Sequence, residues 1–438
     1  MEALLKDIQN ALSGTAFENR VYLVGGAVRD RLLGLRPVDP DLMAEGDACA
    51  LVRLLSEKGA GERPVFLPRF NTAKIYCRGF LVEVTGARTD AYSKGSRLPE
   101  VLPADIEKDA FRRDFTVNAL YKNLFTGELL DPTGMGLDDL QNRVLRTCRE
   151  PYASFCEDPL RILRAVRYAS LPGFEPLPEL CAGAERAAEG LETLSAERKR
   201  DELEKLLSMP SPRKGLELFL RLGAAAYVIP ELCPLAGCPA GKGYGCDVWE
   251  HTLRVAERLP DAPLRLAALL HDVSKPAVMT PEGRFPGHAA ASAKTAAEIL
   301  ARLRFPKARI QDACRLIEEH NSFFRAETDS EFRECIHRNR DILPRLLLLM
   351  EADKNSYDTG LDRFGQMKER LDRLAAPGLL EKELSPLSGS EISSLAGLTG
   401  KRAGEAKERL RQMVLAGELV PGDKRAAEKA LKEMIKDL

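Results

Sequence analysis

The stretch LVGGAVRDRLLGLRPVDPDLM, residues 23 to 43, limits what this 438-residue chain can fold into more than any other. An apolar run, Val21 to Val24, stops at Gly25 and Gly26 and gives way to helical spacing over residues 27 to 33, closed by Gly34. Four apolar residues that end at a glycine pair suit a short buried strand, and the glycines let backbone N–H groups approach a ligand closely. The start of the following helix favours phosphate. Asp39 and Asp41, one residue apart, leave an extended segment on the same face and can share a hard cation such as magnesium. Strand, glycine turn, helix and carboxylate pair in this order point to a phosphate cradle that feeds a metal site.

The length allows about three domains and more than one core. A net charge of −1 with 30% charged residues demands no polyanionic partner, because nucleic-acid binding depends on local basic faces. Such a face is suggested by Arg112, Arg113, Arg143, Arg146, Arg149, Arg161, Arg164 and Arg167, which crowd into one short span. Ten cysteines without a CxxC pair read as reduced core thiols of a cytoplasmic protein, and the irregular spacing of Cys233, Cys238 and Cys246 argues against a metal site. The charged start MEALLKDIQNAL is no apolar leader, and no run reaches the roughly 20 apolar residues that span a bilayer.

Up to about residue 150, strand-like runs (VYLV, PVFL, AKIYC, FLVEVT, ALYKNL) alternate with helical ones such as ACALVRLLSEKG. Beyond that, three-to-four periodicity dominates and the remainder reads as helical. The Gly- and Pro-rich CPLAGCPAGKGYG, residues 233 to 245, reads as a linker, with a second break near residues 376 to 390. The expected class is α+β, a mixed-sheet head followed by an all-helical region, divided at 1–146, 147–232, 246–375 and 376–438.

The segment GGAVRDRLLG followed by DPD resembles the head of the class II tRNA nucleotidyltransferases, the CCA-adding enzymes of the polymerase-beta-like superfamily. FRRDFTVNAL at 111 to 120, DPTGMGLDDLQNRVLR at 131 to 146, EDPLRILRAVRYAS at 157 to 170 and SAERKRDEL at 195 to 203 resemble the family's later motifs, in the family's order. The resemblance implies a nucleotidyltransferase head, a helical neck and body that grip the tRNA acceptor arm, and template-independent addition of C and A to the tRNA 3′ end from CTP and ATP. Asp39 and Asp41 would hold Mg2+, with Glu83 of FLVEVT as a third carboxylate on a neighbouring strand. Gly25, Gly26 and Arg29 would hold the β- and γ-phosphates, and Arg112, Arg113 and Asp114 the triphosphate and sugar. Asp131, Gly134 and Asp138 take a supporting role.

EDPLR carries the base choice that the resemblance assigns. Asp158 and Arg161, three apart on one predicted helix, would leave on one face. A carboxylate accepts from an exocyclic amino group while a guanidinium donates to the adjacent ring nitrogen or carbonyl, a pattern that cytosine and adenine satisfy and uracil and guanine do not. Arg164 and Arg167 complete the nucleotide-binding set.

Downstream, His251, the pair His271 and Asp272, His288, His320 and Asp353 resemble the ligands of the HD metal-dependent phosphohydrolases. Imidazoles with carboxylates suit Mn, Ni, Co or Fe. Lys275 matches the family's HDxxK and would contact a substrate phosphate, while His337 reads as surface. An intact module implies phosphatase or 2′,3′-cyclic phosphodiesterase chemistry. The end of the chain resembles the family's tail, and the helix over residues 403 to 415, with Lys407, Arg409 and Arg411, reads as a solvated face. The competing readings are a partial enzyme adding only CC or only A, suggested by the unusual YSKGSRLPEV between residues 92 and 101, a bacterial poly(A) polymerase, and a chain that is mainly an HD phosphohydrolase.

Overall fold

The computed structural model describes residues 1–35, 40–91, 100–241, 245–356, 362–381 and 383–436. They divide into two compact units: Met1–Glu202 with Met209–Val228, and Leu203–Ser208 with Ile229–Leu438.

The first unit is organised by a mixed sheet. Its strands are β1 (Val21–Val24), β2 (Asp41–Ala44), β3 (Glu62–Leu67), β4 (Thr72–Cys77) and β5 (Phe80–Gly86); β6 (Arg88–Ala91) and β7 (Glu100–Pro103) pair with each other, and β8 (Tyr121–Asn123) and β9 (Leu129–Leu130) rejoin the main sheet. The spatial order is β3-β4-β5-β2-β1-β8-β9. β2 is antiparallel to β1 and parallel to β5. Parallel neighbours need a crossover, and the helix Ala48–Glu57 with the β3–β4 hairpin supplies it. Asp47 starts that helix by accepting the N–H groups of Cys49 and Ala50.

The strand period sorts the two faces. Ala73, Ile75, Cys77, Val82 and Val84 are buried and alternate with the more open Lys74, Tyr76, Leu81 and Glu83. At the other end of the sheet Tyr22, Val24 and Met43 join Ala110, Ala119 and Tyr121 in a buried cluster. Asp41, two residues before Met43 and on its face, is exposed at the start of β2.

Helices take over beyond residue 150 as expected, but the region is not wholly helical, because Val144–Leu145 pairs in parallel with Glu175–Pro176. One further expectation fails here. EDPLR does not lie on one helix: the helix Pro151–Glu157 ends at Asp158, which is extended at φ −139° and ψ 95°, and Leu160–Tyr168 begins anew. Pro159 is the cause, since its ring disfavours the helical region for the residue before it.

The second unit is helical, including Val248–Arg258, Ala262–Leu270, His288–Arg302, Lys307–Glu319 and Leu343–Lys354, followed by Gly389–Ala396, Gly400–Ala416 and Lys424–Lys436. The expected linker is folded over residues 233–241. Leu232 and Leu235 are buried in a short 3-10 turn, Cys238 and Ala240 exchange backbone hydrogen bonds with Val248 and Cys246, and residues 242–244 lie outside the described residues. Backbone groups that find partners this way need no solvated linker. Lys407 pairs with Glu383 and Arg411 with Glu334 on Gly400–Ala416.

The cysteines are all free, but only five of the ten are buried and Cys156 is exposed, so they are not uniformly core thiols. His337 is half-buried with Nδ1 3.1 Å from the Leu379 carbonyl rather than a bare surface residue. Among the described residues no helix is long and apolar enough to cross a membrane.

Candidate active site and metal centre

The glycine turn does what its sequence demands. Gly25 has φ +64°, which only glycine adopts cheaply, and a Cβ there would stand 3.7 Å from Arg113 Nη1 and 3.9 Å from Asp41 Oδ2. Turn, guanidinium and carboxylate therefore converge. Register adds a second acid: Asp41 is the direct partner of Glu83 across β2 and β5, and Glu83 that of Lys74 on β4, whose Nζ lies 2.6 Å from Glu83 Oε2. Carboxylates on adjacent strands beside a glycine turn offer the hard oxygens a divalent cation takes. Asp39 lies outside the described residues, as do residues 92–99.

Behind this rim is a network of arginines that the sequence marked only as a list. Asp109, fully buried, accepts from Arg112, from Arg113 and from the Tyr121 hydroxyl. Burial alone would raise its pKa, but the two guanidiniums and the hydroxyl hold it at about 2. Asp114 is also buried. It accepts from the Phe115 N–H at 2.8 Å, Asn118 Nδ2 at 3.1 Å and Arg164 Nε at 2.6 Å, and these outweigh desolvation to hold it at about 2 as well. Asn118 passes the chain on by accepting from Arg29 Nη1 at 2.6 Å, and Arg29 lies 4.7 Å over the Tyr168 ring.

Arg29 and Asp114 thus differ in their surroundings from open ligands of phosphate and sugar: Arg29 is 5% exposed and also pairs with Asp30. A closed polar ring, Arg29, Asn118, Asp114, Arg164 and Tyr168, ties the phosphate-turn helix to Leu160–Tyr168. Gly26 opens the helix Gly26–Leu32 that carries Arg29. Asn118 and Tyr168 went unmarked in the sequence, although Asn118 sits four residues after Asp114 in RRDFTVN.

Arg161 is buried, donating to Ser154 Oγ at 2.7 Å and to the Arg112 carbonyl at 2.6 Å. Asp158 instead accepts from the Leu160 N–H and from Arg198 Nη2, both at 3.2 Å. Arg167 pairs with Glu202 at 2.8 Å. Asp131 accepts from Thr133 and the Leu137 N–H, Gly134 turns at φ +67°, and it is Asp139, next to the expected Asp138, that links Thr116 to Arg146.

In the second unit all six residues expected from sequence come together. His251 Nε2 lies 3.1 Å from His271 Nε2, 3.3 Å from Asp272 Oδ2 and 3.2 Å from Asp353 Oδ1, while His288 Nε2 lies 3.5 Å from Asp272 Oδ1. The other ring nitrogens fix the tautomers. Nδ1 of His271, His288 and His320 faces the carbonyls of Ala268, Phe285 and Ile317 at 2.7, 2.9 and 2.6 Å, and so carries the proton. His251 Nδ1 lies 2.8 Å from Ser356 Oγ, whose own hydrogen goes to the Asp353 carbonyl, so it also donates. Four Nε2 lone pairs therefore face two carboxylates in a buried space. Asp272 Oδ1 has no hydrogen-bond partner. Buried oxygens and lone pairs of this kind fit a divalent cation, with the Nδ1 contacts acting as orienting partners. Burial would lower the His271 pKa, but Asp272 and Asp353 raise it, whereas burial and His271 push His320 down to about 3. Lys275 Nζ lies 2.6 Å from Asp272 Oδ2.

A mixed sheet that aligns carboxylates beside a glycine turn, carried in one chain with a six-residue histidine and aspartate centre, defines a metal-using nucleotidyltransferase head with an HD-type helical unit. Family models agree: residues 21–146 match the poly A polymerase head domain, 173–235 the probable RNA- and SrmB-binding site of polymerase A, and 247–358 the HD domain. The A-adding tRNA nucleotidyltransferase of Deinococcus radiodurans is 36% identical over 92% of this chain and 94% of its own, and the CC-adding enzyme of Thermus thermophilus 35% over 89% and 88%. The Bacillus stearothermophilus CCA-adding enzyme, solved with CTP, superposes with a TM-score of 0.71 at 25% identity, covering all of this chain and 97% of that one. The chain belongs to the tRNA nucleotidyltransferase family.

Proposed function

We propose that this chain adds C and A nucleotides to the 3′ end of tRNA from CTP and ATP, with protein side chains in place of a template. The observation that carries this reading is the convergence of Asp41, Arg113 and the Gly25 turn, with Glu83 in register beside Asp41. Asp39, Asp41 and Glu83 would hold Mg2+, which when bound activates the tRNA 3′-hydroxyl and offsets charge on the leaving pyrophosphate. Gly25, Gly26 and Arg113 present N–H donors to the triphosphate, and Arg112 stands beside Arg113 on the same buried Asp109. Arg29 and Asp114 act from behind, by holding Asn118 and Arg164 in place. Asp158 and Arg161 would read the base edge, Asp158 from the helix break and Arg161 from the first turn of Leu160–Tyr168.

The relatives include enzymes named for adding A alone and CC alone, so the test is a direct one. Purified protein is given tRNA ending before CCA, tRNA ending in CC, and a generic RNA, with each labelled nucleotide singly and together. Full CCA on the first substrate is expected; extension of only one tRNA would identify a partial enzyme, and A tails on generic RNA would overturn the tRNA reading.

The second unit supports a metal-dependent phosphohydrolase, because its four Nε2 lone pairs and two carboxylates suit Mn, Ni, Co or Fe. Lys275 stands beside that cluster and would meet a substrate phosphate. Hydrolysis of p-nitrophenyl phosphate or a 2′,3′-cyclic nucleotide by metal-loaded protein, absent in His271→Ala, is the expected outcome; equal rates would overturn it.

A further inference from the structure

We propose, resting on the reading of the second unit as a divalent-metal centre, that Asn321 and Lys354 form a lock on the outer half of that centre: Asn321 closes it to a second cation and Lys354 holds Asn321 in the closing orientation. Five of the six ligands form two overlapping groups that share Asp272, and Asp353 stands beside the first, 3.2 Å from His251 Nε2. His251, His271 and Asp272 offer three atoms within 4.8 Å of one another, and so do Asp272, His288 and His320. In the outer group both imidazoles present Nε2 lone pairs, since their Nδ1 protons are taken by Phe285 and Ile317.

Those lone pairs already have a donor. Asn321 Nδ2 lies 3.1 Å from His288 Nε2 and 2.7 Å from His320 Nε2. An amide can present oxygen or nitrogen, and here chemistry decides which. Lys354 Nζ lies 2.7 Å from the other amide atom, and an ammonium has donors only, so that atom is the oxygen and the nitrogen faces the histidines. Lys354 is itself held, 2.6 Å from Asp353 Oδ2 and 4.7 Å over the Phe324 ring, with 16% of its side chain exposed. One ammonium therefore joins the plug of the outer group to Asp353, the carboxylate beside the inner group.

A cation entering the outer group must break both amide-to-imidazole hydrogen bonds. Two such bonds are enough to weaken binding by at least about tenfold. The inner group should fill first and the outer group second and more weakly.

The test is a Co2+ titration of the full chain in excess Mg2+, which keeps the carboxylates of the head filled, followed by the visible bands of histidine-bound Co2+ and by equilibrium dialysis. Two steps are expected, and His288→Ala should remove only the second. Asn321→Ala, which changes no charge, should tighten the second step at least about tenfold and leave the first unchanged. Lys354→Met frees the amide to turn its oxygen inward. Loss of charge alone would tighten both steps alike, so the lock requires the second step to gain more, and Lys354→Arg to restore the weak second step. Melting curves report that each variant is folded. An unchanged or weaker second step in Asn321→Ala would overturn the lock and make Asn321 a support for a metal-bound water. A single step in every variant would overturn it as well. Absence of any histidine-type Co2+ band in the parent protein would remove the metal centre itself, a failure distinct from either.

Discussion

Tyr168 sits beneath three guanidiniums, Arg167 at 4.2 Å, Arg29 at 4.7 Å and Arg164 at 5.5 Å from its ring, with Phe115 edge-on at 5.6 Å. Burial would raise its pKa, yet Arg164 and Arg167 lower it. Three like charges around one ring are tolerable because Asp114, Asp30 and Glu202 each pair with one of them. Asp114 is the partner whose loss should be easiest to read. Its pKa falls from 3.8 to about 2 on folding, so its contribution is fully present above the unfolded value and disappears as pH falls from about 4 to 2. That contribution is about 2 kcal/mol. Asp114→Asn should flatten the acid limb of the stability curve over that window, measured by urea unfolding at a series of pH values, and should raise KM for both CTP and ATP as Arg164 loses its anchor. At the rim, Asp41→Asn should abolish incorporation while leaving the melting temperature almost unchanged, because Asp41 is exposed at a strand end. Asp158→Ala should let UTP or GTP compete in single-nucleotide assays; unaltered selectivity would remove it from base choice.

At the level of elements, the sheet positions its acids by register and its turns by exclusion. β2 is bonded on both sides, so Asp41 cannot shift against Glu83 without slipping a whole strand. At the far end of β5, a Cβ on Gly86 would stand 1.8 Å from Asn71 Nδ2 and 2.5 Å from the Gly46 carbonyl oxygen. Asn71 has little room to give, since it donates to that same carbonyl and accepts from the Ala48 N–H. Gly86→Ala should therefore cost about 1–3 kcal/mol in urea denaturation. The longer strands and the helical second half were legible because period and length are local properties. The helix break at Asp158 was legible too, in Pro159, but periodicity across EDPLRILR outweighed the one residue that contradicts it. β2 and β9 are too short to show a period. The six metal-centre residues could be named from their resemblance to the HD pattern, four histidines in order with Asp272 and Asp353, whereas Asn321, Lys354 and Ser356 acquire meaning only when separate helices bring them to the imidazoles. The same holds for Asp109 and Tyr168, whose roles come from partners that surround them in space.

On the scale of the whole molecule, two compact units with separate ligands should respond separately to them. A ligand at about 100 times its Kd stabilises the unit that binds it by about 2.7 kcal/mol. CTP with Mg2+ is expected to slow amide exchange in residues 21–168, and Co2+ or Mn2+ to slow it around residues 248–354; chelation of the transition metal with Mg2+ kept in excess should reverse only the second. Metal affinity should also weaken as pH falls through the raised pKa of His271, because a proton then competes for the same lone pair. The division of the chain has one further consequence. Leu203–Ser208 belongs to the second unit although unit 1 sequence both precedes and follows it, and the Leu207 carbonyl accepts from buried Arg265 Nη1 at 2.8 Å. No single cut in the gene separates the halves: a fragment beginning at Ile229 lacks a hexapeptide that its own interior uses, and exposes an arginine's need for an acceptor. Recombination could move this HD unit to another protein only by carrying along a piece of what looks, in linear order, like its neighbour.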